Sequence, residues 1–307
     1  MAGYNVSALT DFVNEQNQEI LRASIFESKT LELFKNNIQV GIKHSEALNL
    51  MDINPMIADD STGSAVDTGG EVVFTQRILT VAPSCTRLFL DPKVLTNKWM
   101  NTKMTAGSAD TDLVFETEIM DEITKKLAAK NETALWQGDT ASGNPDLNRF
   151  DGYNKIIDSA TGVTIVTAAT FTVANAMTNI DALYAAIPTS ILNKEDMGIF
   201  MSWDYFRYYT TALRAANLFH YGVDAVNGEL VVPGTNVKIY ALNGLNGSKR
   251  VHAGRIPNYR IGTDLLTDAD NASAVYLDTI EKVKIKVAYK LGVQVARPNE
   301  LIVLKIS

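Results

Sequence analysis

The tightest constraint on this chain is a periodicity between Asp112 and Trp136. Phe115, Ile119, Ile123 and Leu127 recur every four residues, and Met120 and Ala134 widen the stripe, the pattern of a helix with one buried face. Glu116, Glu118, Asp121 and Glu122 come early, while Lys125, Lys126 and Lys130 come late, as the helix dipole favours. At a rise of 1.5 Å per residue the segment would run roughly 35 to 40 Å, long for one element of a globular domain. It reads as a strut. The early acids are the solvated first turns of that helix rather than paired catalytic carboxylates or a metal site.

Directly behind the strut, Gly138, Gly143 and Gly152 lie among Asp139, Asp146 and Asp151. A phosphate loop needs glycines leading into a helix N-terminus, with a Lys-Ser/Thr or a second acid following. Here the glycines follow a helix and the neighbouring acids repel phosphate. The segment therefore reads as an architectural corner, in which glycine supplies positive φ and close backbone approach.

The other segments differ in kind. Residues 1–37 carry Leu9, Phe12, Val13, Ile20 and Leu21 at near-helical spacing, an amphipathic helix on an extended arm whose apolar face needs a partner. No helical period holds from Ile38 to Gln76, and the turn-formers from Ala58 to Gly70, Asp59, Asp60, Gly63, Asp67, Gly69 and Gly70 among them, predict a hairpin carried on two strands. Glu71–Val81 reads as strand and Asp91–Met104 as a short helix. Helices are predicted over 172–187, ended by Pro188, and from the capping Ser202 to about Asn217, with a buried strand at Met197–Met201 between them. Glu229–Leu242 predicts a hairpin turning at Pro233-Gly234. At the end, Val283, Ile285, Val287 and Tyr289 alternate with Lys284, Lys286 and Lys290, and a second strand run follows Gly292. Two long strands are expected to close the chain.

With 307 residues, 46% hydrophobic, the chain can bury a substantial core as one large domain or two intertwined ones. Its apolar runs are too short to span a membrane, and the N-terminus lacks a basic head and apolar signal core. A single cysteine, Cys85, excludes an intramolecular disulfide and a thiolate-rich metal site, and is expected to be buried or half-buried. The net charge of −7 argues against gripping a phosphate backbone. His44, His220 and His252 stand in no nucleophile or zinc setting and read as surface or interface residues. Asp59-Asp60 reads as a solvated loop tip rather than a cation site. Trp203, Tyr205, Phe206, Tyr208 and Tyr209 have too few cations nearby for base stacking and fit a helix packed on a sheet. No catalytic, cofactor-binding or metal-ligating residues are assigned, and no enzymatic activity is expected.

The order of these segments, with Leu135-Trp136-Gln137-Gly138-Asp139 followed by Phe150-Asp151-Gly152-Tyr153-Asn154, resembles the tailed-bacteriophage major capsid protein family, the Hong Kong 97 fold. Ile199-Phe200-Met201-Ser202, Val232-Pro233-Gly234-Thr235 and Gly262-Thr263-Asp264-Leu265 resemble recurring features of that family's axial domain. The resemblance covers about Ile38 to Ile306. It implies an α+β capsid fold with an N-terminal arm over 1–40 and an E-loop hairpin with flanking strands over 41–80. A peripheral domain would take 81–151 and 273–307, with the spine helix at 112–136, and a mixed α/β axial domain would take 152–272.

The implied function is self-assembly into hexamers and pentamers of an icosahedral shell around double-stranded DNA, without sequence-specific binding, cofactor or membrane. The implied partners are further copies of the chain, a portal and a separate scaffolding protein, and the implied location is the virion, assembled in host cytoplasm. No lysine occurs between Lys43 and Lys93, so the E-loop isopeptide crosslink of some family members is not expected. With about 40 residues ahead of the E-loop, a cleaved scaffolding segment is not expected either. The competing readings are an encapsulin-like nanocompartment packaging enzymes, a soluble enzyme with an unrecognised site, and a minor structural or decoration protein.

Overall fold

The computed structural model of the chain describes residues 28–54, 71–91, 116–216, 227–264 and 272–307. The predicted short helix after Asp91, the arm before Ser28, and Phe115 lie outside them.

The strut is present as a helix over Glu116–Gln137, 22 residues, or about 33 Å. It buries Met120, Leu127, Ala134, Leu135 and Trp136, with Ile123 half-buried against the same core. Ile119 lies on the same helix. The buried face widens towards the C-terminal end, where Asn131, Glu132, Ala134, Leu135 and Trp136 are all enclosed. In the middle turns the buried stripe runs through Met120, Thr124, Leu127 and Ala128, and the last turns are surrounded.

What surrounds them is a pair of sheets. The first joins β1 (Ile38–Val40), β4 (Ala82–Leu90), β10 (Tyr259–Thr263), β11 (Ala272–Leu277) and the 14-residue β12 (Lys282–Val295), which pairs antiparallel with β4, β10 and β11. The odd residues of β12, Val283 to Val295, face the core and the even ones, Lys282 to Lys290, face out. The second sheet has six strands in the order β5 (Thr164–Ala168), β13 (Ile302–Ile306), β9 (Arg250–Arg255), β6 (Met197–Met201), β8 (Lys238–Ala241) and β7 (Glu229–Val231). Helices Ala176–Ala185 and Trp203–Ala215 contribute Ile180, Leu183, Phe206, Tyr209 and Leu213 to its apolar core. Ser202 caps the second of these, its Oγ accepting from Tyr205 N at 3.3 Å. The hairpin β7–β8 turns at Gly234, where φ is +77°.

Sequence and structure part company at the end of the chain. Gly292 does not separate two strands, because β12 runs through it unbroken. The residue directly opposite is Gly262 on β10, and a Cβ on Gly292 would stand 2.0 Å from the carbonyl oxygen of Thr80. Glycine is there to let another strand lie on the sheet, not to turn. The short closing strand β13 leaves the lysine-bearing sheet and pairs parallel with β5 and antiparallel with β9. It thus completes the sheet formed by residues of the 152–272 span, whereas β10 of that span belongs to the first sheet.

Both sheets meet at one aromatic knot. Phe34, Trp136, Tyr153, Phe200 and Tyr259 are each fully buried, with Phe34 stacked on Tyr259 at 5.0 Å and Phe200 edge-on to Tyr259 at 5.1 Å. They come from the arm, the strut, the helix after the corner, β6 and β10. Such pairs add about 0.5–1.5 kcal/mol each beyond burial. Trp136→Ala is therefore expected to cost roughly 3–5 kcal/mol of unfolding free energy, measured by denaturant titration with circular dichroism.

Candidate functional site

The corner behind the strut is built by backbone contact. Gly138 N donates to Ala134 O, and Gly152 N donates to Gly138 O, both at 2.9 Å. A Cβ on Gly138 would meet Phe150 O at 2.5 Å, and one on Gly152 would meet Gly138 N at 2.6 Å. Close approach is the reason for both glycines. Positive φ is not, since the positive-φ glycines among the described residues are 41, 162, 228, 234 and 247. The acids brace the turn: Asp139 accepts from Ala141 N at 2.9 Å and pairs with Lys155 at 3.1 Å, and Asp151 accepts from Thr140 N at 2.8 Å. The Ala141 amide and then Lys155 hold the Asp139 carboxyl below the usual carboxylate range.

Inside the joint lies a polar network that no sequence pattern marked. Thr30 Oγ1 donates to Glu132 Oε1 at 2.7 Å and accepts from Trp136 Nε1 at 3.1 Å. Burial raises the Glu132 carboxyl above its ordinary value, and hydrogen bonds from Thr30 and Gly244 oppose the shift. The arm is thereby tied to the strut by a short helix, Lys29–Leu33, capped by Ser28.

His252 also corrects the sequence reading. It is fully buried on β9 rather than at the surface, its ring 5.2 Å from that of Trp136. Its Nε2 donates to Asn154 Oδ1 at 2.7 Å, while Nδ1 has no partner. Burial, with Arg250 adding to it, lowers its pKa from 6.5 to about 3. His44 is exposed, and His220 lies outside the described residues. Cys85 is exposed on β4, not enclosed, because it shares the outward face of the sheet with the lysines of β12. Among the described residues no three His, Cys, Asp or Glu side chains gather as metal ligands would.

The surface feature that stands out is the ribbon of β2 (Ser45–Asn54) and β3 (Glu71–Thr80), paired antiparallel over ten residues. Its root rests on the Gly262–Gly292 window through Ile42, Leu48, Leu79 and Val81. Beyond the root both faces are open. Met51 opposes Phe74 and Ile53 opposes Val72, and these four are between 51% and 76% exposed. Asp59, Asp60, Gly63, Asp67, Gly69 and Gly70 lie beyond the described ends of the two strands.

A spine helix beside two sheets, a corner of apposed glycines and a two-stranded arm standing off the body make up the architecture. No protein-family model matches the chain, and no curated protein matches it either. Solved structures do. A chain of the satellite phage P4 procapsid that includes the size determination (Sid) protein matches with a TM-score of 0.61 at 11% identity, over 99% of this chain and 91% of that one. The capsid of Myoviridae phage XM1 matches with a TM-score of 0.54 at 11% identity, over 90% and 92%. The capsid of the empty GTA particle matches with a TM-score of 0.54 at 11% identity, over 91% and 90%. The chain has the α+β Hong Kong 97 fold of tailed-phage capsid proteins.

For His252 the folded pKa lies below the unfolded one, so its contribution to stability is complete above pH 6.5 and is lost as pH falls towards 3. The expected slope in that window approaches about 1.4 kcal/mol per pH unit. His252→Gln is expected to flatten it, as read by urea unfolding from pH 7 to 4.

Proposed function

We propose that this protein is the major capsid protein of a tailed phage, self-assembling into the hexamers and pentamers of an icosahedral shell that encloses double-stranded DNA. The observation that carries the reading is the ribbon. Four large apolar side chains held out on a two-stranded arm gain nothing for the isolated subunit, since two strands alone are marginal in water and exposed apolar patches mark interaction sites. A neighbouring copy supplies the missing surface, and many weak contacts repeated around a closed lattice give a stable particle. The ribbon with its tip acts as the E-loop, the strut and first sheet as the peripheral domain, and the second sheet with its helices as the axial domain. Gly138, Asp139 and Gly152 join the two, and Ile123 and Leu127 anchor the spine.

The subunit's role is structural, its chemistry non-covalent. A portal and a separate scaffolding protein complete the assembly in the host cytoplasm, and the DNA is held without sequence-specific contacts.

Electron microscopy and size-exclusion chromatography of the purified chain are the direct test, with closed shells, tubes or hexamer sheets expected. A compact monomer at every concentration and salt, even with candidate scaffold co-expressed, would refute the reading. Deleting Asp59–Gly69 should leave a folded subunit that assembles poorly, and normal particles from that deletion would remove the E-loop role. Denaturing electrophoresis of mature particles should give one band near 33.6 kDa, whereas a covalent ladder would contradict the inference from absent lysines.

A further inference from the structure

Arg207, Arg250, Arg255 and Arg297 each pair with a carboxylate. Arg77 on β3 and Arg260 on β10, both half-buried, have no such partner among the described residues. The two stand on either side of one contact. Arg260 lies directly opposite Gln294 on the β10–β12 ladder, on the outward face of the first sheet. Arg77 lies opposite Leu48 on the ribbon, on the side that carries the buried Leu48 and Leu79 and rests on the body. Its Nη2 donates to Gln294 Oε1 at 3.4 Å, an oxygen that Val295 N also reaches at 3.0 Å. The ribbon thus brings one guanidinium down beside another, with a neutral amide between them.

No counter-charge is supplied from nearby. Arg77 Nε is enclosed and has no hydrogen-bond partner among the described residues, and burial holds the guanidinium below its ordinary pKa. Glu46 and Asp52 share the ribbon's body-facing side by register, yet among the described residues neither pairs with Arg77 or Arg260. Taking an unpaired cation out of water is costly, and a second cation beside it adds to the cost. A guanidinium also presents its N–H groups in a fixed fork that matches the oxygens of a carboxylate, phosphate or sulfate. The gap is bracketed by two ties between ribbon and body. Gln294 Nε2 donates to Ile78 O at 2.7 Å, and farther out Arg297 Nη2 donates to Met51 O at 3.4 Å. Arg77 lies in the rows between them, so what enters there is small.

We infer that Arg77 and Arg260 form a binding site for a small free oxyanion, of the phosphate or sulfate class, held between the ribbon and the first sheet. Arg77 engages the anion from the ribbon and Arg260 engages it from the body. A tetrahedral oxyanion offers separate oxygens to both guanidiniums at once, which a monatomic chloride does not. Occupancy then ties the ribbon to the sheet by charge as well as by its apolar root. A carboxylate borne on another chain would have to pass the two bracketing ties, whereas a free anion need not. The site belongs to a single subunit and stands whether or not the chain builds a shell.

The test compares the purified full chain in inorganic phosphate and in chloride at matched ionic strength and pH. Isothermal titration calorimetry reads binding, and hydrogen exchange with mass spectrometry reads the ribbon strands, 45–54 and 71–80. Phosphate is expected to slow exchange in those strands and to raise the thermal midpoint, with sulfate acting alike. Arg77→Gln and Arg260→Gln should each weaken phosphate binding about tenfold or more and abolish the slowing. In chloride both variants should melt no lower than the parent chain, because each removes an unpaired cation. Equal exchange and equal midpoints of the parent chain in phosphate and chloride would overturn the inference without recourse to a variant. Phosphate binding that survives both substitutions, or that leaves the ribbon's exchange unchanged, would overturn it too. Ribbon protection that appears only on particle assembly, in phosphate-free buffer, would assign the two arginines to a neighbouring copy's carboxylate and overturn it as well. A failure to form shells leaves all these readouts in place and bears on the shell reading alone.

Discussion

The last turn of the spine helix is the constraint on which the rest of the body depends. Trp136 is enclosed by rings from the arm, the post-corner helix and strands of both sheets, and its indole N–H is satisfied by Thr30, which in turn satisfies Glu132. One buried donor, one hydroxyl and one carboxyl thereby fix the relative placement of the arm and the helix. In so dry a place each group is costly to leave unpaired, so the joint admits few alternative geometries. The glycine corner begins one residue later, at Gln137–Gly138, because a backbone leaving such a crowded site must pass within contact distance of its own helix end.

That economy explains why the first sheet can be asymmetric. Its inner face is packed by the spine and the aromatic knot, leaving the outer face free to carry charge. The alternation of β12, apolar inward with lysine outward at 282, 284, 286 and 290, is a single ladder serving two purposes: the odd residues hold the subunit together, and the even ones give the sheet a charged outer face. The ribbon's root uses the same strand at Gly292, so the ribbon and the lysine-bearing end of the sheet are mechanically continuous through β12.

Much of this was legible in the sequence. The spine helix, the paired strands flanking the Asp59–Gly70 turn-formers, the Ser202 cap and the Pro233-Gly234 hairpin each rest on spacing within one segment. What was not legible depends on which distant strand lies alongside. The partners of β13, the passage of β12 through Gly292 and the burial of His252 beside Trp136 are all set by register between segments far apart in the chain. A lone histidine or glycine carries no mark of that. Glu132 is the clearest case: nothing in the helix's own sequence marks it, and it is buried where Thr30 arrives from the arm a hundred residues earlier.

The small contact at the ribbon's root has a mechanical consequence. Four aliphatic side chains over a glycine window, with a few polar contacts along one edge, form a fulcrum rather than a weld. A ten-residue ribbon is about 33 Å long, so a tilt of about 10° moves its far end by about 6 Å. In the proposed shell, subunits with identical bodies would in this way meet neighbours at unequal angles, with the difference in curvature absorbed by a lever and not by the core.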